Sequence, residues 1–138
     1  MQMKKEECIF CKMIKNKKDI YTVMEGKNYI SFLDAYPASL GHALVVPKKH
    51  YKNIYEIPKK ILADLIVVCK KIAVNYRDKK RVSSINIINS NGKYAQQDVE
   101  HFHFHIVPRY ESDNIKLYWK NKRDELKNKF KVFLEDLK

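Results

Sequence analysis

The sequence predicts an α+β fold: an antiparallel sheet of about five strands carrying one long helix, a short N-terminal helix and a C-terminal helical tail. Three observations carry this expectation. Candidate strands follow one another through short connections, which suits hairpins better than alternating strand–helix units. One stretch alone, Lys59 to Tyr76, repeats apolar residues at helical spacing over several turns. A late segment, from about Val99 to Arg109, alternates histidine and apolar residues at the period of a strand.

Taken in order, Cys8 to Ile14 reads as one or two helical turns. Ile20–Val23 and Tyr29–Leu33 read as a hairpin turned at Glu25-Gly26-Lys27-Asn28. Ala43 to Val46, closed by Pro47, is a third strand. Pro58 suits the first turn of the long helix. Ile61, Leu62, Leu65, Ile66, Val68, Cys69, Ile72, Ala73 and Tyr76 carry that helix to about Tyr76. Ile85 to Asn89 is a fourth strand, Ser90 to Asp98 a polar loop, and Val99 to Arg109 the last strand. Lys122 to Leu137 forms an amphipathic helix with Leu126, Phe130, Phe133, Leu134 and Leu137 on one side. With only 3 Gly and 4 Pro in 138 residues, the loops should be short, and no repeat or linker divides the chain.

No apolar run approaches the ~20 residues that span a bilayer, and the charged start Met1 to Glu7 leads into no signal-peptide core. A cytosolic address without membrane association is expected, with the nucleus open to a eukaryotic chain. The net charge of +12 admits two readings. One is attraction to nucleotides or nucleic acid. The other, better supported by lysines spread from end to end, is a set of solvated faces. Of three cysteines, Cys69 sits among apolar helical positions and fills core. Cys8 and Cys11 form a pair whose spacing lets two thiolates share one metal; a reduced empty pair or redox chemistry are the alternatives.

His101, His103 and His105 fall at i, i+2 and i+4, which places them on one face of a strand, with Phe102, Phe104 and Ile106 on the other. Two chemistries use such a face: a metal cage, or phosphoryl transfer in which one neutral imidazole attacks phosphorus and another donates to the leaving atom. Upstream stands Leu40-Gly41-His42-Ala43-Leu44-Val45-Val46-Pro47-Lys48-Lys49-His50. Together with His101-Phe-His103-Phe-His105-Ile-Val-Pro-Arg109, Cys8-Ile-Phe-Cys-Lys-Met-Ile14, Phe32-Leu-Asp34-Ala-Tyr-Pro37 and Asn91-Gly92…Ala95-Gln96-Gln97-Asp98, this resembles the histidine triad (HIT) superfamily of nucleotide hydrolases and transferases, in its small Hint-like, bacterial-type branch. The resemblance covers most of the chain. It implies a single HIT domain over 1–138, with 1–7 as a flexible N-terminus and 111–138 as a C-terminal extension.

The resemblance implies that His103 is the nucleophile of a covalent nucleotidyl-histidine, that His105 hydrogen-bonds the scissile or leaving atom, and that His42 completes the phosphate cluster. Asp34 would accept from the ribose hydroxyls, and Ile9, Phe10, Met13, Phe32 and Leu44 would enclose the base. Gln97 and Asp98 occupy the positions of a Gln-Ser/Thr pair that contacts phosphate. Asp98 replaces the hydroxyl, Gln96 stands where glycine is usual, and Ser90, counted among the substrate contacts, where Asn or Gln is frequent. With His42, His103 and His105 so assigned, His50 and His101 join Cys8 and Cys11 as a Cys2His2 structural zinc set, an arrangement that members of the resembled family use. No organic cofactor is expected.

The expected activity is hydrolysis of a nucleoside phosphoramidate or dinucleoside polyphosphate at the α-phosphate, releasing a purine mononucleotide such as AMP. The expected assembly is a homodimer, with helix Lys59–Tyr76 as the candidate interface. Removal of AMP from adenylylated nucleic-acid ends is a second reading. A nucleotide-binding scaffold with little turnover is a third.

Overall fold

A computed structural model describes residues 7–138; the expected flexible start falls, apart from Glu7, outside the described residues. Helix α1 (Ile9–Lys15) is followed by a single 3-10 turn. Strands β1 (Thr22–Glu25), β2 (Tyr29–Leu33) and β3 (Ala43–Pro47) precede helix α2 (Lys59–Lys80). Strands β4 (Ile85–Ile88) and β5 (Phe104–Pro108) follow. Two short helices, α3 (Arg123–Leu126) and α4 (Phe130–Glu135), end the chain. The five strands form one sheet in the order β1-β2-β3-β5-β4, and every neighbouring pair is antiparallel. This is the α+β architecture that the sequence predicts.

Period-two alternation sorts the side chains of the central strands. Ala43 and Val45 of β3, with Phe104 and Ile106 of β5, pack against Leu65, Val68, Cys69 and Ile72 of α2. Leu44 and Val46 turn the other way and join Ile30, Phe32, Cys8 and Phe10. Since Leu44 pairs with His105, that histidine also faces away from α2. Gly41 enters β3 at φ +93°, and an added Cβ would stand 3.2 Å from Pro108. Its carbonyl accepts from the Tyr76 hydroxyl at 2.8 Å, which ties the end of α2 to the start of β3.

Several boundaries differ from the expectation, among them β1, which covers Thr22–Glu25 rather than Ile20–Val23 and so takes in Glu25 of the expected turn. Helix α2 runs one turn past Tyr76 because Arg77, Lys79 and Lys80 are good helix formers on a solvated turn where apolar spacing is silent. Arg81 ends it in the left-handed conformation (φ 58°), with Val82 N–H donating to Tyr76 O. Strand β5 begins only at Phe104, since Phe102 N–H is drawn out of the sheet to Tyr51 O at 2.7 Å. The C-terminal helix is broken by a 3-10 turn at Lys127–Lys129, and its apolar residues Leu126, Phe130, Phe133, Leu134 and Leu137 are exposed. Among the described residues no helix is long and apolar enough to cross a membrane.

Candidate functional site

A cavity of about 500 Å3 opens on the face of the sheet away from α2. Its apolar wall consists of Ile9, Phe10, Met13, Ile20, Phe32 and Leu44, and its polar end holds Asp34, Asp98, His103 and His105. Phe10 stands edge-on to Phe32, His101 and His103, with ring centroids 5.9, 5.7 and 5.1 Å apart. Lys12, Asn16, Asp19 and Tyr36 also line the cavity. Sequence reasoning did not select these four, because single polar residues on α1 and the adjoining turns show no periodicity.

The backbone fixes the tautomers of the histidines. Nδ1 of His103 lies 2.7 Å from the carbonyl of His101; a carbonyl only accepts, so Nδ1 carries the proton and Nε2 keeps its lone pair. On His42 the assignment is reversed. Ala38 N–H donates to Nδ1 at 2.9 Å, so in the neutral ring Nε2 is protonated and donates to Nδ1 of His105 at 2.9 Å. His105 is thereby left with Nε2–H for the cavity it lines. Burial lowers the pKa of His42, against the raising effect of Asp34 and Asp98. Burial, with neighbouring His103 and His42, pushes His105 from 6.5 down to about 4. Both rings are therefore neutral near pH 7, as the relay requires.

Asp34 Oδ1 accepts from Tyr36 N–H at 2.9 Å, and its Oδ2 lies 3.4 Å from His42 Nε2. Asp98 Oδ1 lies 3.3 Å from His103 Nε2, the atom that carries the lone pair. Asn89 donates to the carbonyl of His103 at 2.9 Å and accepts from Asn91, a support that carries no signature in the sequence. Ser90 and Gln97 do not line the cavity. The Gln97 amide donates to the carbonyls of Lys52 and Val99 and accepts from Gly92 N–H, so it braces the loop and ties it to the segment before α2. Gln96, at the position where the resemblance expects glycine, has φ 63°, in the left-handed region that glycine adopts without steric cost.

A second cluster lies behind the first. The ligand atoms of Cys8, Cys11, His50 and His101 are all within 4.8 Å of one another. Nε2 of His101 donates to Pro47 O at 2.8 Å, which leaves Nδ1 as the free lone pair, 3.4 and 3.5 Å from the sulfurs of Cys8 and Cys11. His50 Nδ1 is 3.4 Å from Cys11 Sγ. Tetrahedral zinc, at roughly 2.3 Å from sulfur and 2.0–2.1 Å from nitrogen, sets sulfur and nitrogen about 3.5 Å apart. Donor set and spacing thus both fit a closed structural zinc site. Cys8 also caps α1, its sulfur accepting from Cys11 N–H.

Comparison with known proteins gives a consistent result. A family model described as HIT domain matches residues 15–112. The adenosine 5'-monophosphoramidase HNT1 of Saccharomyces cerevisiae is 37% identical over 102 residues, 74% of this chain and 62% of that protein. The crystal structure of a HIT family protein from Bacillus anthracis superposes with a TM-score of 0.83 at 32% identity, covering 96% of this chain and 99% of that one. A zinc-bound histidine triad family protein from Mycobacterium smegmatis superposes at 0.76 with 29% identity, covering 97% of each chain.

Proposed function

The chain belongs to the HIT family, and from that membership we propose that it is a nucleotide hydrolase acting at the α-phosphate of a nucleoside phosphoramidate or dinucleoside polyphosphate. The observation that carries this reading is the pair of fixed tautomers. His103 presents a lone pair on Nε2, and His105 presents a proton on Nε2, to the same cavity. His103 Nε2 attacks phosphorus and the bond from phosphorus to the leaving atom breaks. His105 Nε2–H hydrogen-bonds the leaving atom and passes it one proton as that bond breaks. Water then cleaves the N–P bond of the nucleotidyl-histidine, its hydroxyl going to phosphorus and its proton back to His105, and releases a nucleoside monophosphate such as AMP.

His42 holds the tautomer of His105. Asp34 accepts from the ribose hydroxyls, while Ile9, Phe10, Met13, Phe32 and Leu44 enclose the base; Asp98 borders the phosphate, on a loop that Gln97 braces. Likeness to a monophosphoramidase supports the phosphoramidate over the polyphosphate. Cys8, Cys11, His50 and His101 hold zinc, as likeness to the zinc-bound M. smegmatis protein supports. When bound, the metal supplies a cross-link between α1 and the segments that carry the two histidines. A homodimer packed through α2, on the exposed Ile66, Val67 and Val74, completes the reading.

Turnover of adenosine 5'-phosphoramidate, measured beside AMP affinity by calorimetry, tests it. Wild type releases AMP, and His103→Ala loses turnover while still binding AMP. Retained turnover in His103→Ala removes the nucleophile; AMP binding without any turnover in wild type removes the enzyme.

A further inference from the structure

The charge of the cavity runs against that of the chain. The protein carries +12, yet the cavity lining sets one cation, Lys12, against three carboxylates, Asp19, Asp34 and Asp98. No arginine, and no lysine but Lys12, is among the lining residues, although a bound polyphosphate needs cations to compensate its oxygens. Asp34 already has partners in Tyr36 N–H and the His42 ring. Asp98 differs. Its side chain is 70% exposed at the cavity mouth, with one oxygen 3.3 Å from Nε2 of the nucleophile His103. That placement favours a cation at the mouth and disfavours a further anion.

We propose that Asp98 is a specificity residue that selects the leaving group by its charge, favouring amines that carry a second, cationic group over neutral amines and rejecting anionic leaving groups such as polyphosphates. This rests on the hydrolase reading above. The balance of the step is consistent with it: the P–N bond breaks as the N–P bond to His103 forms, the nitrogen takes one proton from His105 to leave as an amine, and a second proton from water makes it an ammonium. A carboxylate at the mouth stabilises the charge so formed. A leaving nucleotide polyphosphate instead adds negative charge beside Asp98.

The test is a charge series of adenosine 5'-phosphoramidates whose amines bear an ammonium tail, a neutral propyl chain or a carboxylate tail, with diadenosine tetraphosphate as the anionic limit. In wild type, kcat/KM falls roughly three- to tenfold for each positive charge removed from the leaving group, the size of a Coulomb interaction over about 7 Å at a partly wet surface. The readout is this slope within each enzyme, not the activity of one variant against another. Asp98→Asn and Asp98→Ser flatten it, Asp98→Glu keeps it, and high salt weakens it in wild type. A flat series in wild type, or a slope that survives Asp98→Asn, overturns the charge selection while leaving the hydrolase intact. No turnover of any compound overturns both.

Discussion

Replacing His42 by alanine removes the one donor that sets the state of His105. His42 receives Ala38 N–H on Nδ1 and passes its own Nε2–H to Nδ1 of His105, each over 2.9 Å. Without that donor His105 can adopt the other tautomer, which turns a lone pair instead of a proton toward the cavity. The lost hydrogen bond and the buried acceptor left behind together amount to about 1.5–3 kcal/mol. At about 1.4 kcal/mol per decade this is a ten- to hundredfold fall in kcat for the phosphoramidate, with a smaller change in KM. Single-turnover kinetics measure the chemical step, and nitrogen-15 NMR of the imidazoles reports the tautomers directly. Wild type should show His105 protonated on Nε2 and His103 on Nδ1. A wild-type His105 protonated on Nδ1, or a His42→Ala enzyme within twofold of wild type, refutes the relay.

Two further outcomes follow from the same geometry. Purified protein should contain one zinc per chain by elemental analysis; Cys8→Ser should lose it with a lower melting temperature, and a metal-free, fully stable wild type would exclude the site. Stability should also fall in mild acid through His105. The unfolded ring takes up a proton near its ordinary value of 6.5, whereas the folded ring resists protonation until about 4. The unfolded state therefore binds more protons in that window, and stability drops as pH falls through it. Between pH 7 and pH 5 this contributes about 2 kcal/mol. Urea titrations of wild type and His105→Gln at both pH values isolate the effect from zinc loss, and equal pH slopes for the two proteins would contradict it.

The sequence makes the sheet and long helix legible because their signals are apolar patterns. The continuous apolar run Ala43–Val46 follows from a central strand buried on both faces, and the helical spacing from Ile61 to Tyr76 from one buried face. Features without such a pattern were harder to read. The last turn of α2 packs nothing, so its end rests on the left-handed Arg81. Treating His101 to His105 as one strand places three rings on a common face. Yet the pull of Tyr51 O on Phe102 N–H takes His101 and His103 out of the ladder, and they then face different clusters. Asn89 reads in the sequence only as the end of a strand; only the β4–β5 pairing brings it beneath His103. The resemblance singled out Gln97, but not that its amide is bonded to Gly92 and Val99 nearby and to Lys52 on another segment.

His101 belongs to both clusters at once. Its ring faces Cys8 and Cys11, and its carbonyl holds the proton of His103 in place. One peptide unit therefore separates the metal set from the nucleophile, and no substitution at this position reports on one centre alone. An insertion between residues 101 and 103 would cost both functions together. The two centres are in effect a single heritable trait: a descendant that gave up the thiolates would keep the nucleophile's tautomer only by anchoring residue 101 some other way.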